Sequence, residues 1–290
     1  MIITVRNNEE KTMAPAFAVT NDLSWTVSKR PLFYNRTNGS TAEWPDRVAI
    51  VRDDNDRCLG VVSPDYETVQ NSDLLNLINP MVEEGLLTVE NVGYLAHGAR
   101  VFAQAKVNQE FTVIGEEYQG FITLLNGHVG NCSVAIGSTM TRVICGNTFT
   151  AAYSDISERY RHSAGVTERV LESTFVIDYI NGAMKTYSDY VEKLAGAKCT
   201  GAQFKTFVEE VYQKPVDSLR DNFVSQLNNL FYSGKGNEGK TFYDAFNACT
   251  EYASNYSRKT PQGRFQYAQF GQGARINNRA LRVGLELAAV

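Results

Sequence analysis

The sequence predicts an α+β fold: an N-terminal antiparallel β-meander interrupted by one helix, followed by a C-terminal run of helices. Three observations carry this. From Leu23 to about Val143 the apolar residues recur with period two, after about Thr167 they recur with the period of a helix, and one helix-periodic stretch, Asn71 to Gly85, breaks the strands. Regular alternation of strands and helices would have argued for a parallel α/β sheet instead.

The strand candidates are SWTVSKRPLFY, RVAIVRD, CLGVVS, LLTVENVGYL, RVFAQAKV, FITLLNGH and SVAIGSTMTRVICGN, rich in Val, Ile, Thr and aromatic residues with turn residues between them. Asp53-Asp54-Asn55-Asp56 has the composition of a hairpin loop. In NSDLLNLINPMVEEG, Asn71 or Ser72 is the expected cap, Leu74, Leu75 and Ile78 form one face, and Gly85 is the stop. Helix-periodic stretches follow: TERVLESTFVIDYINGAMKTYSDYVEKLAG with Gly182 near its middle, GAQFKTFVEEVYQ, PVDSLRDNFVSQLNNLFYS with Pro215 in its first turn, KTFYDAFNACTEYASNY, and NNRALRVGLELAA. At 290 residues the chain suits one or two domains. The change of period divides it into a β-rich part, 1–165, and a helical part, 166–290, either a second domain or helices packed on the sheet as one domain.

Composition is that of a globular protein: 43% hydrophobic, 21% charged and 11% aromatic, which excludes a disordered tail, a collagen-like repeat or a disulfide mini-scaffold. The net charge of -4 excludes a uniformly basic nucleic-acid binder. No apolar run approaches the length of a membrane span, and MIITVRNNEEKTMAPAF carries charges where a signal peptide is apolar, so a soluble, cytoplasmic protein is expected. The odd set Cys58, Cys132, Cys145, Cys199 and Cys249, with no C-x-x-C, reads as reduced thiols.

Several patterns bear on chemistry. Gly234 to Thr241 satisfies G-x-x-x-x-G-K-[ST], in which backbone amides cradle phosphates, Lys240 reaches the terminal ones, and Thr241 holds Mg²⁺; Gly234 and Gly239 are its glycines. The preceding residues, Ser218 to Tyr232, are helix-periodic where that motif needs a buried strand, so an anion-binding loop or a plain connector competes with it. His128 and Cys132, with Cys145 and His162 further on, offer zinc ligands, but only the first pair is closely spaced. Cys145 with His162 and Asn147 is a thiol-nucleophile set, against which stands the apolar run RVIC around the thiol. No cofactor is expected, and the carboxylate pairs Glu83-Glu84, Glu116-Glu117 and Glu209-Glu210 read as helix ends or solvated faces.

The broadest signal is a local reversal of charge. Between Tyr252 and Leu285 there is no Asp or Glu, while Arg258, Lys259, Arg264, Arg275, Arg279 and Arg282 supply six positive charges. Tyr256, Phe265, Tyr267 and Phe270 are interleaved with them. Basic side chains separated by aromatic faces suit a sugar-phosphate backbone with unpaired bases. Arg275, Arg279 and Arg282 share one helix face. Arg159 and Arg161 form a smaller cluster, and Arg142 offers a contact from the sheet. The competing reading is a solvated helix face whose arginines pair with acids elsewhere.

The order LSWTVSKRPLFY, PDRVAIVRDDNDRCLGVVSPDYETVQN, GARVFAQAKV, LLNGHVGNCSV with TRVICGNTF, then GNEGKTFYDAFNACTEYASNY and FGQGARINNRALRVGLEL, resembles the phage/plasmid-like protein family of unknown function over nearly the whole chain. The resemblance implies a mobile-element protein in a bacterial cytoplasm and carries no catalytic residues. In that family the loop before FYDAFNACTEY is glycine-rich without a fixed lysine, which argues against a nucleotide-hydrolase role for Lys240. The leading expectation is a non-enzymatic DNA-binding protein of phage recombination or replication, such as a homo-oligomeric single-strand annealing protein. The alternatives are an interaction protein that inhibits or remodels a host defence complex, and a nucleotide-binding enzyme.

Overall fold

The first of two antiparallel sheets is built in chain order from β1 (Val27–Asn35), β2 (Thr41–Arg52) and β3 (Cys58–Val62). The computed structural model describes residues 22–142, 147–149, 158–171 and 176–289. The expected acidic loop is the β2–β3 turn. Where β2 leaves the core, Arg52 is buried against Trp25, its guanidinium 4.0 Å from the ring centre, and bonds Asp54 and the His97 carbonyl. Burying a guanidinium is tolerable because the carboxylate, the carbonyl and the aromatic face replace its water.

Two short helices follow, α1 (Asn71–Asn76) and α2 (Asn79–Glu83), where the periodicity predicts one. Pro80, in the first turn of α2, has no N–H to continue the ladder, so the stretch breaks at Leu77 and Ile78. The cap is Gln70 rather than Asn71 or Ser72. Asn71 is buried instead, donating to the carbonyls of Leu23 and Trp25.

The second sheet has the order β4 (Leu87–Leu95), β5 (Arg100–Val113), β6 (Glu116–Gly127), β7 (Val134–Arg142), β8 (Asn147–Phe149), with β9 (Glu158–Tyr160) also pairing β7. Alternation along β5 sends Val101, Ala103, Ala105 and Val107 into the main apolar cluster with Leu74 and Ile78 of the α1–α2 stretch. Arg100, Phe102 and Gln104 occupy the other face.

The helical part comprises α3 (Val166–Leu171), α4 (Val176–Gly196), α5 (Gly201–Tyr212), α6 (Asp221–Ser233), α7 (Phe242–Glu251), α8 (Pro261–Phe270) and α9 (Gln272–Ala288). Pro215 precedes a single 3₁₀ turn, and α6 begins at Asp221, later than the sequence suggests. Helix α7 runs into a π-helical turn, Tyr252–Tyr256. Helix α8 is absent from the periodicity because Gly263 lies inside it and its apolar residues do not form a regular stripe; Thr260 caps it by accepting from the Gly263 amide, with Pro261 in the first turn. Helices α5, α6 and α7 pack through Phe204 on Phe231, ring centres 4.1 Å apart, and Phe207 on Phe242. Helix α7 meets the sheet where Tyr243 hydrogen-bonds Tyr118 and Glu116. Helix α8 lies over the other face of β5, with Phe265 and Phe270 against Phe102. One contiguous buried cluster runs from Leu23 in the β-rich part to Val283 in α9. No described helix is long and apolar enough to cross a membrane.

Candidate nucleic-acid interface

The corner between α8 and α9 sits over one end of the large sheet and leaves a cleft of about 610 Å³. Its walls are Leu95, Arg100, Leu125, Ala135 and Arg159 from the sheet, Asn131 to Ser133 from the β6–β7 loop, and Gln269 to Gly271, Ala274, Arg275, Asn278 and Arg279 from the helices. Four arginines from three separate stretches of chain therefore converge on one cavity, and among the described residues no Asp or Glu lines it. Each arrives by a local rule. Arg100 opens β5, Arg159 lies on β9 opposite Ala135, and Arg275 and Arg279 are one helical turn apart on α9.

Arg279 is held, its Nη1 donating at 2.9 Å to the Val211 carbonyl at the C-terminal end of α5. That carbonyl is one of the last in its helix, where the aligned peptide dipoles favour a cation. Arg275 is exposed toward solvent. The charges of Arg100 and Arg159 also reach the Cys132 thiol: burial raises its pKa and the two guanidiniums partly oppose the rise. Guanidiniums do not deprotonate in proteins, so all four carry their positive charge at any physiological pH. Asn278 is on the same wall, and its buried Oδ1 has no hydrogen-bond partner among the described residues.

The basic strip of the sequence divides in space. Arg275 and Arg279 line the cleft, whereas Arg282 is exposed and pairs with Glu286 at 3.1 Å. Arg258, Lys259 and Arg264 gather before and within α8. The Arg258 guanidinium lies 4.1 Å from the centre of the Tyr267 ring, and Arg264 donates to the carbonyls of Arg258 and Lys259. Arg161 is exposed just past β9 and does not line the cleft. The backbone of Arg142 ends β7, seven residues from Ala135 and so about 23 Å along the strand, which places it far from the cleft. Of the aromatic candidates, Phe265 and Phe270 are half-buried on Phe102, and Tyr267 is half-buried beneath Arg258; only Tyr256 is exposed, stacked on Tyr252.

The glycine-rich loop is organised around a carboxylate of its own. Asp244 accepts the amides of Glu238, Lys240 and Thr241 and the Thr241 hydroxyl, while Thr241 accepts the Asp244 amide and caps α7. Amides that a phosphate would need are thus occupied, and the exposed Lys240 ammonium pairs with Glu238 at 2.5 Å. Gly234 is the C-cap of α6 and Gly239 takes a left-handed φ of 68°.

His128 and Cys132 turn to different partners, His128 to Asn71 and the Cys132 thiol to the Ser133 carbonyl. His162 stacks on Tyr66 and uses Nδ1 on the Glu67 carbonyl, and burial lowers its pKa. Among the described residues no group of three or more His, Cys, Asp or Glu could hold a metal ion. Cys145 lies outside the described residues, and of Asn147 the strand position is described. Glu116, read from the sequence as solvated surface, accepts from the Tyr243 hydroxyl at 2.6 Å.

Sequence reasoning missed Arg100, Asn131, Ser133 and Asn278. Arg100 is a lone cation in an apolar stretch; the available signal was that it starts a strand, at the sheet end where loops gather.

No curated protein and no solved structure matches the chain. One family model does, over residues 58–281, a span that holds all four cleft arginines and most of both the β-rich and the helical parts. Its description is Domain of unknown function (DUF932), and the chain belongs to that family.

Proposed function

We propose that this chain binds nucleic acid, without catalysis, in the replication or recombination of a phage or plasmid, with the Arg100–Arg159–Arg275–Arg279 cleft holding phosphates. The observation that carries the reading is that cleft: four permanent positive charges around one cavity, with no carboxylate among its described lining residues. Such a concentration of cations attracts a polyanion, and its volume suits a ligand of nucleotide size. A resemblance to phage and plasmid proteins supplies the biological setting, a bacterial cytoplasm, and single-strand annealing by several copies is the activity most in keeping with it.

The test is fluorescence anisotropy of a labelled single-stranded oligonucleotide across a salt series. Binding that weakens steeply with salt and is lost in the Arg100→Glu/Arg275→Glu variant supports the reading. Absence of binding at low salt, or affinity indifferent to salt and to those changes, overturns it. Annealing of complementary strands, followed with paired dyes, tests the finer assignment.

A further inference from the structure

The β1–β2 hairpin projects from the fold. Residues 29–47 are half-buried or exposed throughout, whereas both strands become buried at their inner ends, Val27 on one side and Ala49 to Arg52 on the other. β3 pairs β2 over Val48 to Val51, and among the described residues no third strand pairs the outer ribbon. Two strands with neither face covered are marginal in water, so large apolar groups there are costly without a partner. Yet Phe33, Tyr34 and Trp44 are 59%, 49% and 48% exposed.

The geometry displays these rings. Pro31 pairs Val48 and Phe33 pairs Glu43, so the four residues Trp44 to Arg47 stand opposite Leu32 alone. A bulge of that size bends the ribbon and re-aims its side chains outward. Tyr34 pairs Ala42 and Phe33 pairs Glu43, so these two rings take opposite faces, and Trp44 opens the bulge beside them. The tip is ordered by Asn38, whose Oδ1 accepts the amide and hydroxyl of Ser40, and by Gly39 at φ 82°.

The choice of partner follows from edges and charge. Open strand edges invite another chain, but Pro31 and Pro45, with Lys29, Arg30 and Arg47, blunt them against strand addition. What stays open is the flat aromatic faces. Around them the segment from Lys29 to Arg47 holds four cations, Lys29, Arg30, Arg36 and Arg47, against Glu43 and Asp46, inside a chain of net charge -4. Aromatic faces flanked by cations are complementary to unpaired bases and their phosphates.

We propose that this hairpin is a stacking arm for single-stranded nucleic acid, with Trp44 and Tyr34 taking bases and Arg36 and Arg47 accompanying the backbone. The proposal rests on the nucleic-acid reading of the cleft and assigns the base-contacting part of the same activity. The hairpin lies before the span matched by the family model.

Trp44 reports directly, since the other tryptophan, Trp25, is only 6% exposed. Wild-type protein is titrated with a single-stranded oligothymidylate, and tryptophan emission and anisotropy are read together. The expected result is quenching in the wild type, its loss in Trp44→Phe with binding retained, and roughly ten- to hundredfold weaker binding in Tyr34→Ala/Trp44→Ala. Binding abolished by Arg100→Glu/Arg275→Glu in a protein whose Trp44 emission never responds overturns the arm and leaves the cleft reading standing. Quenching that survives those cleft changes supports the arm and overturns the cleft. No binding by the wild type overturns both. Trp44 emission that shifts with protein concentration alone, with a dimer in sedimentation, overturns the arm in favour of a second copy as its partner.

Discussion

His128 Nε2 lies 3.0 Å from Asn71 Oδ1, and the partners of Asn71 determine which atom of that pair donates. The Asn71 amide nitrogen is committed to the carbonyls of Leu23 and Trp25, so its oxygen must accept and His128 must carry its proton on Nε2. The buried Nδ1 then holds a lone pair with no partner. Burial first, then the nearby His162 and Arg52 charges, lower the His128 pKa to about 4. Protonation would place a charge and an unmet donor between the strands and α1.

Acid lability follows with a definite sign. The unfolded chain takes up a proton on this histidine near pH 6.5 and the folded chain only near 4, so the stabilisation is complete above 6.5 and lost as pH falls toward 4. The gap corresponds to roughly 3 kcal/mol. Urea unfolding at intervals from pH 7.5 to 4 should show the midpoint falling across this window, with a smaller fall in His128→Gln. A residual slope is expected from His162, whose pKa burial also lowers. An unchanged slope in His128→Gln would assign the acid lability elsewhere.

Asp244 fixes the loop before α7, and its replacement separates a cap from a phosphate site. Asp244→Ala leaves the amides of Glu238, Lys240 and Thr241 without their acceptor and should cost on the order of 2 to 4 kcal/mol in chemical denaturation. Lys240→Ala removes an exposed ion pair and should leave the denaturation midpoint unmoved. A nucleotide that stabilises the wild type in a thermal shift assay, but not Lys240→Ala, would restore the phosphate-loop reading.

The architecture was legible because period-two and helical patterning occupy separate halves of the chain, and burial enforces both. What stayed hidden depends on tertiary placement. Thr241 to Asp244 carries the T-x-x-D signature of a helix cap inside the same letters as G-x-x-x-x-G-K-T, and only the direction of the Asp244 carboxylate distinguishes the two. Arg275 and Arg279 were readable as one face of a helix, but Arg100 joins them across a gap of 175 residues through β5, which no spacing rule exposes. Phe265 and Phe270 look like stacking residues until Phe102 is found beneath them. Trp44 and Tyr34 read as ordinary strand aromatics, since the lack of a covering layer is not a property of their own sequence.

Phe102 ties α8 to the sheet. It is 2% exposed, with Phe270 and Phe265 at ring separations of 5.0 and 5.8 Å. Phe102→Ala should cost about 3 to 5 kcal/mol and raise hydrogen exchange in α8 above that of α5 and α6, which pack elsewhere. Because α8 forms one wall of the cleft, oligonucleotide affinity should fall even where the variant remains folded. Uniform loss of protection across the helices would show instead that α8 has no separate attachment.

The last prediction separates the cleft from the basic strip. If charge density along Arg258 to Arg282 governs binding, reversing any of its exposed arginines should matter about equally. If the cleft governs, position decides. Arg275→Glu and Arg100→Glu each remove a cation and introduce a carboxylate into a cavity whose described lining has none, so each should weaken oligonucleotide binding at least tenfold. Arg282→Glu lies outside the cleft, and its loss releases only the exposed pair with Glu286, so affinity should stay within about twofold. Arg279 is a poor probe because its bond to Val211 also fastens α9 to α5. Four phosphate contacts on a single strand give a slope of about -3 in log affinity against log salt, and each effective cleft variant should reduce its magnitude by about 0.7. Equal losses in Arg275→Glu and Arg282→Glu would return the binding surface to the strip.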